Sequence, residues 1–374
     1  MSEVSTRLGI ESAGIEMGIK MGIKRHEIWA YPNDALPPTS LIICTRNRPT
    51  MLVETVESIL QGEDVPTEIV ILDQSPVCNE VLSSMLSRRG CHVRYVQSTS
   101  VGLSRARNEG IAAAKHRLLI IADDDMFIDR KWFGSMVRTL LREGPRCVVS
   151  GAVVPSEAEV AGGFAPSLTL SDTPACHAGR PFLDPLNAGN MAMFRSAYEE
   201  IGEFDPHLGA GSEFRSAEDN DFGYRLLEAG YRVYYEPTAI IIHRAWRSAD
   251  QYLPMRWNYG FGQGAFFAKH MRRDDGYIRQ RMWRDVKKRA LRFKERFWHE
   301  RQLAKGDAVY CIGLLVGAAR WAWTNANAPT PALPHRSEAI GEGADDSLSC
   351  NSDCGGGLGW GPMSHNGVSP KVNS

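Results

Sequence analysis

The stretch LLIIADDD, residues 118–125, sets four large apolar side chains and an alanine before three consecutive aspartates. A continuous apolar run that ends abruptly in charged residues is typical of a strand buried on both faces of a parallel sheet. Three adjacent carboxylates at the end of such a strand repel one another, so their presence indicates a ligand of opposite charge. The stretch therefore predicts an α/β fold and a charged site at the edge of its sheet.

The same pattern recurs along the first two thirds of the chain. Apolar runs alternate with segments of helical period, and these runs stand at residues 40–44, 68–73, 92–97 and 147–155. Strands that alternate with helices predict a mostly parallel, Rossmann-like sheet flanked by helices. In such sheets ligands bind beyond the carboxyl ends of the strands. Thr45 to Arg48, Asp73 and Asp123 to Asp125 all fall at that edge.

Changes in composition divide the chain into four parts. The regular pattern of strands and helices predicts a main domain at residues 38–245, preceded by an N-terminal extension at 1–37. Residues 246–324 predict a helical extension rich in basic and aromatic side chains, and residues 325–374, rich in Gly, Pro and Ser, predict a disordered tail. The formal net charge of -1 at pH 7 gives no global field for holding nucleic acid, so we expect no nucleic-acid partner.

The segment at residues 271–305 is locally basic. It carries thirteen Lys and Arg against five Asp and Glu, with tryptophans and phenylalanines between them. A solvated helical face, a contact with an anionic membrane and a nucleic-acid contact are three interpretations of this pattern. The sequence shows neither a signal-peptide pattern nor a run of about eighteen uncharged apolar residues. We therefore expect a cytoplasmic protein, with a peripheral contact at the inner face of the cell membrane left open.

Two simpler explanations of the three aspartates are less complete. An EF-hand calcium loop needs a glycine at its sixth position, and Ile128 stands there when the count begins at Asp123. A helix N-cap uses one acid, Asp125 or Asp129, and leaves the others unexplained. A divalent cation that also binds a diphosphate accounts for all three, because Mg²⁺ or Mn²⁺ keeps few protein carboxylates and fills its other positions with phosphate oxygens and water.

Seven blocks of the sequence resemble those of family 2 glycosyltransferases, in the same order and at similar spacing. They are IICTRNRP, IVILDQS, GLSRARNEG, IIADDD, NAGNMAMFR, IGEFDPHLGAG and AEDNDFGYRLLEAGYRVYYEP with the following IIIH, and they cover about residues 39–245. The resemblance implies the GT-A fold. It also implies an enzyme that moves a sugar from a nucleoside-diphosphate donor with inversion at the sugar carbon.

By the same resemblance, the donor nucleotide lies against the carboxyl edge of the first strands. Arginine forks suit a diphosphate, although Arg105 and Arg107, two positions apart on one helix, cannot both point at it. Asp73-Gln74-Ser75 stands where many relatives have two acids and a glycine, so the identity of the base stays open. The implied nucleotide-binding residues are Thr45, Arg46, Asp73, Arg105, Arg107, Asn108, Asp123 and Asp124.

The D-x-D motif of the family matches Asp123 and Asp125. The resemblance implies that Asp125 binds Mg²⁺ or Mn²⁺ and that His243, which closes the run AIIIH, supplies a further ligand. A purely structural histidine is the alternative. The residues implied for the donor sugar and the acceptor are Asn187, Gly189, Asn190 and Glu218, with Gly189 allowing a close approach of the backbone.

Asp219 in the run AEDND matches the general base of the family. An inverting transfer needs one carboxylate that takes the proton of the attacking hydroxyl, while a cation stabilises the departing diphosphate. An acidic helix N-terminus, favoured by the helix dipole, is the simpler alternative. Ser216-Ala217 departs from the small glycines that relatives usually have at this point.

The predicted function is therefore transfer of a sugar from a nucleoside-diphosphate donor to a hydroxyl of a glycan or lipid-linked saccharide. A catalytically inactive module that binds nucleotide sugars is one alternative. A metal-dependent nucleotidyltransferase is another, but it would usually carry a glycine-rich loop for the triphosphate, and the run CTRNRP contains no glycine.

Overall fold

The structure is a computed structural model that describes residues 35–78 and 90–325. The predicted N-terminal extension up to residue 34 and the predicted tail beyond residue 325 lie outside the described residues. Strand and helix bounds within these ranges follow the apolar pattern of the sequence closely. Strands 68–73, 92–97 and 147–155 have the predicted bounds.

Nine strands and eight helices occur in the described ranges. The strands are β1 (Thr39–Thr45), β2 (Glu68–Asp73), β3 (His92–Gln97), β4 (Leu118–Ala122), β5 (Met126–Ile128), β6 (Cys147–Pro155), β7 (Ala175–His177), β8 (Asn190–Phe194) and β9 (Arg232–His243). The helices are α1 (Pro49–Leu60), α2 (Leu103–Ala113), α3 (Trp132–Glu143), α4 (Arg195–Ile201), α5 (Glu218–Glu228), α6 (Tyr252–His270), α7 (Tyr277–Arg296) and α8 (Arg301–Asn325).

All nine strands join one sheet in the order β3-β2-β1-β4-β8-β6-β9-β5, with β7 paired to β9. The half formed by β3, β2, β1 and β4 is parallel, as predicted. The other half is mixed, because β8 runs antiparallel to both β4 and β6, and β5 and β7 run antiparallel to β9. The sheet is thus mixed, and the long pair of β6 and β9 within this half is again parallel. The short strands β5 and β7 were not expected from the sequence, since three residues give no measurable period.

Helices cover both faces of the sheet, so the predicted α/β arrangement is confirmed. On one face α1 and α3 bury Leu52, Val56 and Trp132 against the inward side chains of the strands. On the other face α2, α4 and α5 form a second core that includes Ile111 and Phe222. Strand β4 is buried along its whole length, which is why its sequence reads as a continuous apolar run.

The predicted helical extension consists of α6, α7 and α8, which pack beside α5. Phe266 of α6 lies edge-on to Tyr224 of α5, with ring centroids 5.8 Å apart. Helices α6 and α8 approach closely through glycines, because a side chain at Gly317 would lie 2.0 Å from the carbonyl oxygen of Phe261. Among the described residues, no helix combines the length and the apolar character that crossing a bilayer requires.

Candidate active site

The carboxyl edge of the parallel strands brings the first predicted residues together. Thr45 and Asp73, the last residues of β1 and β2, stand opposite each other in the sheet. The Asp73 carboxylate accepts hydrogen bonds from the Ser75 amide at 2.7 Å and the Tyr95 hydroxyl at 2.6 Å, which closes the turn after β2. The Thr45 hydroxyl donates to Asp124 at 2.6 Å. The first loop is therefore tied directly to the aspartates that follow β4.

Asp124 points into the protein. Arg48 donates from one guanidinium nitrogen to both Asp124 at 2.9 Å and Asp125 at 2.8 Å. The Thr55 hydroxyl accepts from the amide of Met126 and donates to the carbonyl of Asp124. Burial raises the pKa of Asp124 to about 6, although Arg48 and Thr45 favour its charged form. Asp124 thus fixes the loop, and its neighbours on either side remain for other partners.

The pairing of β5 with β9 brings His243 to the aspartates. Met126 stands opposite His243 in this antiparallel pair, and the amide of Arg244 donates to the carbonyl of Asp125 at 2.9 Å. The Nε2 atom of His243 lies 3.2 Å from Oδ1 of Asp125. Burial opposes the charge of Asp125, but the contact with His243 and the charge of Arg48 outweigh it and lower the pKa of this carboxyl.

Asp123, Asp125 and His243 fit a divalent cation. Each offers one ligand atom, and these atoms all lie within 4.8 Å of one another. The separation of 3.2 Å between the Asp125 and His243 atoms is close to the roughly 3 Å between neighbouring ligands of an octahedral ion with bonds of about 2.1 Å. Within the described chain, the buried Oδ1 of Asp125 makes no well-directed hydrogen bond, although Nε2 of His243 lies 3.2 Å away. An unsatisfied buried carboxylate oxygen beside an imidazole is the environment that a cation would complete.

Arg107 connects Asp123 to the acidic start of α5. Its buried guanidinium lies 3.3 Å from Oδ1 of Asp123 and 3.1 Å from Oε1 of Glu218. Asp123 also contacts the backbone at Gly189, where a Cβ atom would lie 2.3 Å from Oδ2 of Asp123. The close approach predicted at Gly189 is thus present. Of the two arginines on α2, Arg107 points into the site, whereas the exposed Arg105 donates to the carbonyl of Val101.

Asp219 lies in the first turn of α5, after an unusual backbone turn. Ala217 adopts the left-handed conformation, with φ 71°. A residue with a Cβ adopts this conformation at a cost of the order of 1 kcal/mol, whereas glycine adopts it freely. This explains physically why small glycines suit this point of the chain. The turn begins α5 so that Glu218 faces Arg107 and Asp219 is left half-buried, with one oxygen held by the amide of Asn220 at 2.9 Å.

The surroundings of Asp219 favour its protonated form. Burial raises the pKa of its carboxyl, and the charges of Glu218 and Asp184 raise it further, although Arg107 acts in the opposite direction. A carboxylate with a raised pKa is a stronger base than an ordinary aspartate. Asp219 is therefore equipped for accepting a proton.

Several residues predicted for the site make hydrogen bonds to the protein framework or lie exposed at its surface. Asn108 bonds through its amide to both the carbonyl of Phe204 at 2.8 Å and the amide of Phe204 at 2.9 Å. Asn190 is fully buried inside the sheet, where it accepts from the indole of Trp132 and donates to the carbonyls of Ala152 and Ala239. Asn187 accepts from the amide of Gly189 within its own turn. Arg46 is exposed on the first loop.

Four further residues line the site, and none of them was assigned a role from the sequence. Arg48 bridges two aspartates, and Arg247 lies close enough to Asp125 for its charge to act on that carboxyl. Asp184 and Gln263 lie on the side of Asp219, where Gln263 accepts from Asn220 at 2.6 Å. Arg48 stood inside the quoted block CTRNRP, so its position was the one available signal. The other three come from segments with no motif.

Known proteins resemble this chain in sequence. The sequence profile described as glycosyl transferase family 2 matches residues 40–202. A pre-mycofactocin glycosyltransferase of Mycobacterium tuberculosis is 26% identical over 253 residues, which make up 64% of this chain and 51% of that relative. Hyaluronan synthase of Pasteurella multocida is 27% identical over 229 residues, 51% of this chain and 23% of that relative. The chain thus spans about half the length of the mycobacterial relative and 23% of the length of the hyaluronan synthase.

Solved structures give a weaker match. A mannosyltransferase from Pyrobaculum calidifontis, in complex with GDP-Man and Mn²⁺, is 16% identical, with a TM-score of 0.48 over 87% of both chains. The profile match spans β1 to α4 and includes the aspartates after β4. Residues 40–202 of this chain thus resemble glycosyl transferase family 2.

Proposed function

We propose that the chain transfers a sugar from a nucleoside-diphosphate donor to a hydroxyl group of a glycan or lipid-linked saccharide, with inversion at the sugar carbon. One observation carries the proposal. The buried Arg107 joins Asp123, a member of the candidate cation cluster, to Glu218, the neighbour of Asp219. The candidate donor site and Asp219, whose pKa is raised, are thus held in one arrangement. Transfer with a single base requires the donor and the base to be held together in this way.

Asp219 acts as the general base in this proposal. The acceptor hydroxyl oxygen attacks the first carbon of the donor sugar while its proton passes to the Asp219 carboxylate, and the bond from that carbon to the diphosphate oxygen breaks. The nucleoside diphosphate leaves with both electrons of that bond. Because one face of the sugar is attacked as the opposite bond breaks, the configuration inverts. The raised pKa of Asp219 supports this role.

Asp123, Asp125 and His243 are the residues that would hold Mg²⁺ or Mn²⁺. When bound, the cation supplies positive charge against the departing diphosphate. Two carboxylates and one imidazole leave further coordination positions for phosphate oxygens and water. Arg247, half-buried and close to Asp125, adds positive charge on the same side. Thr45, Arg46 and Asp73 are the residues proposed for the nucleoside.

We propose the acceptor side from the residues around Asp219. Asp184 and Gln263 approach it from the segment before β8 and from α6, and Arg281 of α7 forms an ion pair with Asp184. The helical extension at 246–324 thus completes a site that the proposed domain at 38–245 begins. Polar side chains in this position suit hydroxyl groups of a saccharide.

The test is a donor screen with the full chain. UDP-, GDP- and dTDP-sugars are incubated with Mn²⁺ and candidate acceptors, and release of the nucleoside diphosphate is measured. We expect release with one class of donor, and the Asp219→Asn variant should lose release while it still binds the nucleotide. Binding of a nucleotide sugar without any release by the unaltered chain would indicate a binding module instead. Release of inorganic diphosphate from a nucleoside triphosphate and a sugar 1-phosphate, with no release from any nucleotide sugar, would indicate a nucleotidyltransferase.

A further inference from the structure

The outer face of α7 is basic along its whole length. Glu295 is the one exposed acidic side chain of this helix. Its five exposed basic side chains are Arg279, Arg284, Lys287, Lys288 and Lys294. The ion pairs of α7 are made by other residues, namely Arg281, Asp285, Arg289 and Arg296. The charge of the outer face is therefore not neutralised by those internal pairs.

Large apolar side chains interrupt this basic face. Trp283, Lys287, Leu291 and Lys294 follow one another at helical spacing, so they share one stripe. Trp283 is 60% exposed, and Trp298, in the turn that follows α7, is 72% exposed. An isolated exposed apolar residue is ordinary, but indole rings in a row with lysines are not what a solvated helix needs.

The next helix adds a second exposed apolar row. Ile312, Leu315, Val316 and Trp323 are exposed along α8, while Leu314 on the opposite side is buried with the residues of α5 and α6. Helix α8 is held in place by the close glycine contacts with α6. The hairpin of α7 and α8 therefore exposes basic and apolar side chains on a rigid support.

Positive charges also crowd one another on α7. Partial desolvation lowers the pKa of Lys288, whose side chain is otherwise exposed, and the nearby guanidinium groups of Arg292 and Arg289 lower it further. The pKa of Arg292 is lowered in the same way, by burial and then by Arg289 and Arg296. Like charges held this close favour an anionic partner that relieves the repulsion.

We propose that the outer face of α7, with Phe297 and Trp298 after it, docks on the surface of an anionic lipid bilayer. Lysine and arginine stems lie along the interface with their charges at the lipid phosphates, and tryptophan rings occupy the boundary between head groups and acyl chains. Charge complementarity and the exposed indoles together select this partner, since nucleic acid would use the charges and leave the apolar row unexplained. This docking extends the proposed function, because it would bring the enzyme to a lipid-linked acceptor. Membrane binding is nevertheless measured separately from sugar transfer.

Vesicle flotation of the full chain tests this inference. Vesicles of phosphatidylcholine alone are compared with vesicles that also contain phosphatidylglycerol. We expect binding to the anionic vesicles only, weakened by high salt. The triple variant Lys287→Gln, Lys288→Gln, Lys294→Gln should bind about a hundredfold more weakly, since each lysine contributes roughly a factor of five to ten near such a surface. The double variant Trp283→Gln, Trp298→Gln should also bind more weakly.

The control is the triple variant Arg130→Gln, Lys131→Gln, Lys115→Gln, which removes the same charge from exposed residues elsewhere. It should bind anionic vesicles as the unaltered chain does. The proposal would be overturned if both triple variants lost vesicle binding equally or if the unaltered chain did not bind vesicles. It would also be overturned if the chain bound a DNA duplex and not the vesicles. A tryptophan variant that changed only the oligomeric state in light scattering would overturn it as well. Vesicle binding without sugar transfer would refute the proposed function and leave the membrane contact standing.

Discussion

Met126 and His243 stand opposite each other in the antiparallel pair of β5 and β9, and this pairing carries a histidine to Asp125 from 118 positions further along the chain. The contact exists only because β5 turns back onto β9 directly after the aspartates. It makes a three-residue cluster from a motif that supplies two ligands by itself. The candidate cation site and the pairing of these two strands are therefore one structural feature.

Loss of His243 should weaken metal binding. We expect the His243→Ala variant to bind Mn²⁺ at least tenfold more weakly, because one ligand of a small set is removed while both carboxylates remain. Electron paramagnetic resonance of free Mn²⁺ measures the affinity without any substrate. His92→Ala, on the edge strand β3 and exposed, is the control and should leave the affinity unchanged. Unchanged affinity in His243→Ala would mean that this histidine is structural.

Gly189 should be intolerant of a side chain. A Cβ atom there would lie 2.3 Å from Oδ2 of Asp123, so the carboxylate has to move by about 1 Å. A displacement of that size costs catalysis roughly a hundredfold. We expect Gly189→Ala to lower kcat/KM by about this factor with a small change in melting temperature. Gly276→Ala, before α7 and without a close backbone neighbour, serves as the control.

Replacement of Asp219 should remove the chemical step and leave binding intact. We expect Asp219→Asn to lower kcat by about a hundredfold to ten-thousandfold, the usual contribution of a general base. The nucleotide affinity, measured by calorimetry, should remain within about twofold. Asp172→Asn, on an exposed loop, should behave as the unaltered chain. Full transfer activity in Asp219→Asn would show that another group takes the proton.

The pH dependence of transfer should follow the raised pKa of Asp219. The base works only when it is deprotonated, so the rate should fall as the pH drops through this pKa, which burial and Glu218 raise above that of an ordinary aspartate. Glu218→Gln removes the neighbouring negative charge and frees Arg107 to act on Asp219. Both effects lower the pKa, so the acid limb of the kcat profile should move to lower pH. An unmoved limb would contradict the assignment.

Asp221, two positions after the base, should be a residue of stability. Its carboxylate is fully buried between Arg225, Lys269 and His270, at 2.9, 2.7 and 2.7 Å. Burial opposes its charge, but the charges of Arg225 and Lys269 and the hydrogen bond with His270 outweigh it and hold the pKa of Asp221 far below its usual range. Asp221→Asn leaves these two charges uncompensated and should lower the free energy of unfolding by about 3–5 kcal/mol.

The pH dependence of stability has a definite sign here. A carboxyl whose pKa is lowered by folding contributes its full stabilisation above its unfolded pKa of about 4, and that contribution is lost as the pH falls below it. Urea unfolding at several pH values should therefore show a smaller difference between Asp221→Asn and the unaltered chain in acid. Asp274→Asn, in an exposed pair with Arg272, is the matched control and should have no measurable effect.

The sequence by itself determined the longer strands, the helical segments and the edge of the sheet at which the acids lie. Strands buried on both faces read as unbroken apolar runs, and parallel strands bring their carboxyl ends to one edge, so Thr45, Asp73 and the aspartates after β4 could be placed together. The sequence also determined that only one of Arg105 and Arg107 faces the site, because the helical period separates them.

Only the tertiary structure decided how the remaining groups meet. Local pattern cannot encode pairing between distant segments, and β5 and β7 are too short for any period. The bridge of Arg107 between Asp123 and Glu218, the double contact of Arg48 and the approach of α6 to Asp219 all join residues far apart in the chain. Other long-range contacts hold Asn108 and Asn190 in the framework, because buried amide groups bond to the backbone groups that the fold brings to them.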